Sequence, residues 1–479
     1  MAIIASVLAR IKSDPLAGIC GGDRVNECFA AVGHRWRDRL LDPANTIALF
    51  ILQVLHGNTA ISHLRLLSGV RCANGSYCDA RARLPLAGVA AVVEQLSCDN
   101  RECNDEASQS SRWLGRRVLM ADATTTAAPD TPPLQKMWPQ PSAQKRGCGF
   151  PIVKLLALMD LATGMVLQLT MMCLKTHEMS QLAGPHGALK SGDVLMGDRA
   201  FCSFAHLVLL TALSVDAVFR MHQRQVVDFT PGRASRDSAC RDSACRDSAC
   251  RDSACRGKSK KRKYRRGVPN SRFVRKLGAE DQIVEWNRPA NRPVWMTDGQ
   301  FSDQPDTLRV RELRYRITAR GMRTREVTIA TTLLDPMRYP KRQIARLYGL
   351  RWEIETNFRH LKTTMKMEHL KCRSADGVMK ELMIFTLVYN LIRAAMSAAA
   401  QRQAVADANR ISFIDAARCL RSMLTAAMPT GTIPELIINP IRPSRHHPRV
   451  KKRRMKEYDL MNKPRSEYAK ATDNQDISG

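Results

Sequence analysis

The first part of the chain, residues 1 to 105, alternates apolar runs with polar breaks at helical spacing. Pro43 suits the first position of a helix, and Asp42 suits the cap before it. Arg81 and Arg83 precede a further helical run. The pattern predicts a small helical module with basic turns. Such a module is a candidate DNA reader, although ordinary helix pairs give the same pattern.

From about residue 115 the pattern changes to that of strands. Apolar runs predict strands at Arg117–Ala121, Phe150–Met159, Met165–Cys173, Val194–Gly197 and in DAVFRMH. The helix-like run FAHLVLLTAL separates the last two strands. A meander of three strands, followed by strands alternating with helices, predicts a mixed α/β sheet covered by helices.

Residues 222–340 interrupt this α/β pattern. They contain a perfect fourfold RDSAC repeat at 236–255, which has too little apolar surface to offset ordering and is predicted to be a disordered loop. Eight Lys or Arg residues follow within 256–266. The runs TLRVRELRYRIT and TREVTIATTLLD then alternate like a β-hairpin around 319–321. The segment is therefore predicted to be a mostly β insertion.

A helix predicted after Pro340 carries unusual chemistry. Tyr348, Arg351, Glu355 and Lys362 are spaced i, i+3, i+7 and i+14, so they would share a sector of about 60° on a helix. A neighbouring apolar stripe consists of Leu350, Ile354, Phe358, Leu361 and Met365. The non-functional alternative is that these residues form an ordinary solvated helix face, with an i,i+4 ion pair between Arg351 and Glu355. This stretch alone leaves both interpretations open.

Charge narrows the choice of partner. The 479 residues carry a formal net charge of +30 and a pI near 10.0, which favours nucleic acid first and an anionic membrane surface second. No uninterrupted apolar run approaches the ~18 residues of a membrane-spanning helix. The basic runs lack adjoining amphipathic aromatic helices, so we expect no membrane role. The N-terminus lacks a signal-peptide pattern, which favours an intracellular protein.

The 15 cysteines form no CxxC pair and no zinc-finger spacing with histidine. They fit free thiols in a reducing cytosol better than a disulfide framework.

Eight Lys or Arg residues lie between Arg442 and Lys456, in a tail that either contacts nucleic acid or is simply solvated. The sequence predicts a helical, DNA-binding domain at 1–110 and a catalytic domain in two parts, 111–221 and 341–402. The insertion at 222–340 separates these two parts, and a helical and basic segment follows at 403–479.

Three acidic residues occupy special places. Asp122 and Asp198 each follow a predicted strand, and Glu355 lies on the helix after the insertion. Three converging carboxylates without a cysteine or histidine set favour Mg²⁺ or Mn²⁺. A pair of such ions suits in-line displacement at a phosphodiester.

Other acids near these motifs fit structural roles. Asp160 lies in a turn, Asp193 is expected to start a strand, and Glu353 lies about 200° around the helix from Glu355.

Four segments resemble bacterial DDE transposases of the insertion-sequence-four (IS-four) group. LMADATTTAAPDTP resembles the block of the first aspartate, and QKRGCGFPIVKLLALMDLATGMV resembles the strands after it. VLMGDRAFCSFAHL resembles the block of the second aspartate. YGLRWEIETNFRHLK matches the Tyr-x2-Arg-x3-Glu-x6-Lys signature at every fixed position. The resemblance spans about residues 115 to 400.

This resemblance implies a ribonuclease-H-like core with helices on both faces, interrupted by a β insertion. It implies Asp122, Asp198 and Glu355 as the catalytic, metal-binding triad, with two Mg²⁺ or Mn²⁺ ions. The residues it assigns to DNA are Tyr348, Arg351 and Lys362, which Arg359, Lys366 and Arg199 would extend. Trp352 would stack on an unpaired base, with a core tryptophan as the equal alternative.

The function implied is DNA transposition. The chain would bind the terminal inverted repeats of its own element as double-stranded DNA, cut the strands, and join the 3′ ends to target DNA. A homodimer is expected because two ends must be paired, and the location would be the bacterial cytoplasm at the nucleoid. The alternatives are a metal-dependent nuclease without strand transfer and an inactive copy that only binds DNA.

Overall fold

The structure is a computed structural model, and it describes residues 22–95, 112–233, 235, 269–317, 326–424, 434–441 and 458–468. The RDSAC repeat, the basic run after it, the turn at 319–321 and the basic tail lie outside these residues. The chain divides into two compact units. The first spans Met1–His177, Trp352–Arg445 and Arg449–Gly479, and the second spans Glu178–Arg351 and His446–Pro448.

The helices and strands are numbered in chain order. The helices are α1 Gly22–Ala31, α2 Pro43–Leu55, α3 Ile61–Ser68, α4 Asn74–Arg83, α5 Leu86–Gln95, α6 Pro132–Met137, α7 Ala183–Gly187, α8 Phe204–Ala212, α9 Asp298–Ser302, α10 Lys341–Gly349, α11 Trp352–Arg359, α12 Ala375–Arg402 and α13 Phe413–Leu424. The strands are β1 Val118–Ala127, β2 Ile152–Asp160, β3 Val166–Cys173, β4 Val194–Gly197, β5 Asp216–Arg220, β6 Ser271–Gly278, β7 Asp281–Asn287, β8 Thr307–Arg316 and β9 Glu326–Thr331.

The sheet of the first unit is the predicted meander. β1 pairs with β2, and β2 pairs with β3, both antiparallel. One prediction about it is wrong: Asp122 does not end a strand but lies within β1, opposite Ala157. The β-branched Thr124, Thr125 and Thr126 explain the difference, since such residues favour a strand and carry β1 past the aspartate.

The long helix α12 holds this meander from one side. Asn390 accepts a hydrogen bond from the Val166 backbone N–H and donates one to the Val166 carbonyl, at 2.9 and 2.8 Å. Tyr389 and Arg393 donate to the carbonyls of Gly164 and Thr163 in the β2–β3 turn. Among the described residues α12 is the helix long and apolar enough to cross a membrane, but 83% of its apolar window is buried inside the protein. It is the core helix of this unit.

The N-terminal helices pack on the same helix. Asp42 caps α2 by accepting from the Asn45 N–H at 2.7 Å, with Pro43 at the first helical position, as predicted. The turn after α2 places Asn58 at φ 55°, where its amide donates to Glu381 of α12 at 2.6 Å. Lys380 of α12 donates to the Arg81 and Ala82 carbonyls at the end of α4. The helical module is thereby tied to the meander half of the first unit.

The second unit contains a mixed sheet in the order β4-β5-β9-β8-β7-β6. β4 and β5 are parallel, with Gly197 opposite Phe219, and α8 connects them in the chain. The other neighbours pair antiparallel. The hairpin predicted from TLRVRELRYRIT and TREVTIATTLLD is β8 paired with β9. β6 and β7, which no sequence pattern singled out, complete the β insertion.

A buried ion pair fastens the insertion to the start of α10. Arg311 on β8 and Asp281 on β7 form a bidentate pair at 2.6 and 2.8 Å, and Arg311 is fully buried. The same guanidinium donates to the Tyr339 carbonyl at 2.7 Å, and Lys341 donates to the Ala279 carbonyl at 2.6 Å. The strands of the insertion therefore fix the segment that leads into α10. An antiparallel meander, a parallel pair with its connecting helix, and packed helices confirm the mixed α/β, ribonuclease-H-like class.

Candidate active site

Asp198 lies where β4 ends, as predicted. The chain turns at once, because the Phe201 N–H bonds back to the Asp198 carbonyl at 3.0 Å. Gly197 permits this tight turn, since a Cβ there would lie 2.9 Å from the Phe201 ring. Buried His206 contacts the Phe201 carbonyl at 2.8 Å through Nδ1. The carboxylate is thus held by a packed turn rather than by a loose loop.

Asp198 has an unsatisfied oxygen. Its Oδ1 atom is buried and has no hydrogen-bond partner within the described part of the chain. Tyr348 on α10 is 6% exposed, and its hydroxyl is also buried without a partner there. Burial, and next the negative charge of Asp198, raise the pKa of the Tyr348 phenol, while Arg351 and Arg220 oppose the rise. The neutral phenol is therefore a hydrogen-bond donor close to Asp198.

The second unit brings Asp198, Tyr348 and Arg351 together and adds Arg220. Arg220 is the last residue of β5, one position beyond Phe219, which pairs with Gly197. The register thus places Asp198 and Arg220 at the same edge of the parallel pair. Sequence reasoning missed Arg220. The available signal was a charged residue at the end of the strand after Asp198, since parallel strands end at one edge.

Asp122 and Glu355 belong to the first unit. Asp122 is half-buried on β1, and its Oδ1 accepts a hydrogen bond from the Ala123 N–H at 2.8 Å. Glu355 is exposed on α11, and α11 packs against β1. Thr126 further along β1 donates to the Met367 carbonyl at 3.1 Å, which fixes the chain after α11. The strand and the helix that carry these two acids are therefore neighbours in a packed unit.

The continuous helix predicted around residue 350 is wrong. α10 ends at Gly349, and the N–H groups of Leu350 and Arg351 bond three residues back rather than four. α11 begins at Trp352 and gives way to a π-helical turn at His360–Thr364. Glycine is a poor helix residue and favours this break. Leu350 is 47% exposed, so it does not belong to the buried stripe, whose other four members are buried.

The remaining predicted DNA contacts are accessible. Trp352 is 40% exposed, which rules out the core-tryptophan alternative. Arg359 and Lys366 are exposed, and Lys362 is half-buried in the π-helical turn. Arg199 is exposed next to Asp198 and donates to Gln223 at 3.3 Å. Each of these cations can reach a ligand in solvent.

The acids set aside as structural have local partners. Asp160 accepts from the N–H and hydroxyl of Thr163, and its burial raises its pKa. Asp193 precedes β4 and accepts from the Lys190 N–H at 2.7 Å. Burial, followed by Asp407, raises the pKa of Glu353. These environments fit structural roles.

Carboxylate oxygens are the donors that hard divalent cations prefer. The described residues contain no group of three acidic, histidine or cysteine side chains already assembled as a metal cage. The unsatisfied, buried Oδ1 of Asp198 nevertheless fits a cation, because a buried oxygen without a donor is costly unless a ligand satisfies it.

Comparisons with known proteins agree with this chemistry. A family model described as Transposase DDE domain matches residues 113–391. The transposase InsG for insertion sequence element IS4 of Escherichia coli (strain K12) is 25% identical over 370 residues, which are 74% of this chain and 71% of that protein. The piggyBac transposase in its synaptic complex with hairpin DNA has a TM-score of 0.42 at 10% identity, over 87% of this chain and 80% of that one. That likeness is too distant to carry an argument.

Proposed function

We propose a reaction from one premise: this chain belongs to the Transposase DDE domain family, whose model matches residues 113–391. The protein is a DNA transposase, an enzyme that cleaves DNA and transfers strands. The proposal is that it binds the terminal inverted repeats of its own insertion sequence, cuts there by hydrolysis and joins the 3′ ends to target DNA. The match over more than half of the chain is the observation that carries it.

The proposed catalytic residues are Asp122, Asp198 and Glu355. The assignment of Asp198 is supported by its buried oxygen without a hydrogen-bond partner in the described part of the chain. The assignment of Asp122 and Glu355 is supported by the packing of α11 against β1, the two elements that carry them. The family depends on a divalent metal ion. We propose that the three carboxylates hold Mg²⁺ or Mn²⁺, as two ions. Such ions, when bound, activate the attacking oxygen and stabilise the leaving oxygen of an in-line displacement.

The surrounding cations position the DNA. Arg351 and Arg220 lie within electrostatic range of Tyr348, which supports a phosphate contact beside Asp198. The Tyr348 hydroxyl stays protonated and can donate to a phosphate oxygen or a base. Four further contacts are proposed on the exposed and half-buried side chains of Trp352, Arg359, Lys362 and Lys366. Arg199 would add another at the end of β4.

DNA is the partner, as element ends and as target, and pairing of two ends supports a homodimer. The helical N-terminal segment and the basic tail are proposed as additional DNA contacts. We propose the bacterial cytoplasm, at the nucleoid, as the place of action and assign no role at a membrane.

The triad is tested by removing one charge at a time. Asp122→Asn, Asp198→Asn and Glu355→Gln should each lower cleavage of a labelled duplex carrying the element end by several powers of ten, roughly the effect of losing a group needed in the transition state. Binding of the same duplex should change little, because these acids contribute no positive field. Asp193→Asn is the matched control and should retain cleavage. Full cleavage by any triad variant would remove that residue from the site.

Strand transfer distinguishes the two enzymatic alternatives. A duplex with a pre-cut 3′ end should become joined to plasmid DNA in the presence of Mg²⁺. Cleavage without joining would favour the nuclease alternative, and binding with neither reaction would favour the inactive copy.

A further inference from the structure

A cavity in the N-terminal helical module contains none of the catalytic residues proposed above. Its volume is about 750 Å³, and it lies between the loop that joins α1 to α2 and the helix α4. All of it belongs to the first unit. A cavity of this size holds a small ligand or part of a larger one.

The charge of the cavity is strongly one-sided. The loop contributes Arg35, Arg37 and Arg39, and the end of α4 contributes Arg83. All four side chains are exposed, so solvent and ligands reach them. Asp79 is the one acid among the residues that line the cavity. An excess of guanidinium groups, which bind phosphate in a bidentate manner, favours a phosphate-bearing ligand.

An aromatic platform accompanies these charges. Trp36 lies between Arg35 and Arg37 and remains 36% exposed. His34 stacks on it with ring centroids 5.7 Å apart and an interplanar angle of 25°. The histidine supports one side of the indole while part of the indole surface stays open. An exposed tryptophan among arginines is the combination that stacks bases in proteins that bind single strands.

We infer that this cavity binds unpaired nucleotides of DNA, with a base stacked on Trp36 and the adjoining phosphates held by Arg35, Arg37 and Arg83. The inference rests on the proposed function for its choice of DNA. Base pairs in a duplex stack on each other, so they offer no free base face to an aromatic ring. The concave shape of the site also suits one or two nucleotides rather than a duplex, whose bases are already paired and stacked on one another.

Unpaired strands arise in the proposed reaction itself. Cutting and joining strands at an element end leaves single-stranded flanks until they are repaired. A site for such a flank, on a module tied to α12 through Asn58 and Lys380, would keep the strand attached to the enzyme. The cavity is therefore assigned to such a single-stranded flank and not to the triad.

The test uses the full-length protein and two fluorescent probes, a mixed-sequence single strand and a blunt duplex of the same sequence. Trp36→Ala should weaken single-strand binding by about tenfold or more, in line with the loss of a stacked base. Duplex binding should change less than about threefold on the same scale. Trp36→Phe should restore most of the affinity, because phenylalanine also stacks. Arg65→Ala, which removes an exposed charge of the same module outside the cavity, is the control.

The outcomes separate the inference from the proposed function. Selective loss in Trp36→Ala and Arg37→Ala, with Arg65→Ala near the parent, supports the single-strand site. An equal loss of affinity for both probes, or no loss for either, overturns the inference. The transposase function would still hold in that case, provided that the parent protein binds and cleaves duplex DNA. A parent protein that bound neither probe would overturn the inference, whereas the proposed function is tested separately by binding and cleavage of the duplex that carries the element end.

Discussion

Individual residues show where this protein keeps unsatisfied polar groups. Asp198 and Tyr348 both bury an oxygen without a partner in the described structure, and the negative charge of Asp198 helps to raise the pKa of the Tyr348 phenol. An unmet buried hydrogen bond costs about 1–3 kcal/mol. Both groups belong to segments fixed by packing, Asp198 by the turn with Phe201 and Tyr348 by α10. This is the arrangement expected of a site prepared for a ligand.

Lys362 is the sharpest single-residue test of the DNA contacts. Lys362→Ala should weaken binding of the element end and reduce cleavage, while the Mg²⁺ requirement stays unchanged or becomes slightly lower because a nearby cation is gone. Anisotropy and cleavage assays across a Mg²⁺ series measure both effects. Lys371→Ala, an exposed lysine nearby in the chain, is the control.

Arg351→Ala is a less direct test than Lys362→Ala, since it would also disturb the expected pair with Glu355. If Lys362→Ala bound and cleaved like the parent, the solvated-face interpretation of this stretch would be correct.

His206 should make stability depend on pH. Burial lowers the pKa of His206 to about 3 and that of His186, which it contacts at 3.1 Å, to about 4. Below pH 6.5 the unfolded chain binds a proton that the folded chain does not. Stability is therefore lost as the pH falls from 6.5 towards 4, by about 1.4 kcal/mol per pH unit for each such group.

Thermal unfolding between pH 7 and 4.5 checks this expectation. His206→Gln should show a shallower decrease of melting temperature than the parent, and His222→Gln, a half-buried histidine on a nearby loop, should keep the parental slope. Identical slopes in all three proteins would show that His206 does not govern the acid response.

At the scale of elements, the apolar periodicity led to a wrong prediction between α10 and α11, where it indicated one continuous helix. The spacing of apolar residues describes each helix correctly, since Ile354, Phe358, Leu361 and Met365 are all buried. It carries no information on whether one helix continues into the next. Gly349 and the bonds three residues back at Leu350 and Arg351 decided that locally. The predicted signature residues thus lie on two helices, the turn between them and a π-helical turn instead of one helix.

The buried Arg311–Asp281 pair should contribute strongly to the stability of the insertion. Arg311→Met leaves a buried carboxylate without its partner and should cost about 3–5 kcal/mol of unfolding free energy. The double variant Arg311→Met with Asp281→Leu should recover a large part of that loss, because the unpaired charge is gone. Urea unfolding of the four proteins of this cycle measures the coupling.

A control for this cycle lies on the same strand. Arg316 pairs with Glu326 at 3.2 Å, but both side chains are largely exposed, so Arg316→Met should cost about 1 kcal/mol or less. Equal losses for Arg311→Met and Arg316→Met would show that burial of the first pair adds nothing.

For the whole molecule, the net charge of +30 sets the response to salt. Each phosphate neutralised on duplex DNA contributes a slope of about −0.9 in log K against log salt. With contacts proposed at the catalytic stretch, the helical N-terminal segment and the tail, the total slope should be several times that value. Titrations between roughly 50 and 200 mM salt measure it, and Lys362→Ala should reduce the slope by about one. A nearly flat dependence would mean that the charge serves another purpose.

The sequence by itself determined the elements and the chemistry of this protein. Alternating and helical apolar patterns predicted the strand Val194–Gly197 without error, because burial of one face dictates such patterns. They located the other core strands to within two residues at each end, except that β1 continues six residues beyond its predicted end. The spacing Tyr-x2-Arg-x3-Glu-x6-Lys predicted the family from local residue types alone. The aspartates Asp122 and Asp198 were found because both directly follow apolar runs.

The tertiary structure decided what local patterns do not encode. Arg220 joins Asp198 only through the register of two parallel strands, and the buried partner of Arg311 is 30 residues away in sequence. The cavity around Trp36 exists because α4 folds back against the α1–α2 loop, so sequence reasoning found Arg83 but neither Trp36 nor the arginines beside it. Each of these three features depends on packing between elements that are distant in sequence. The apolar periodicity of a single segment does not specify which element that segment packs against.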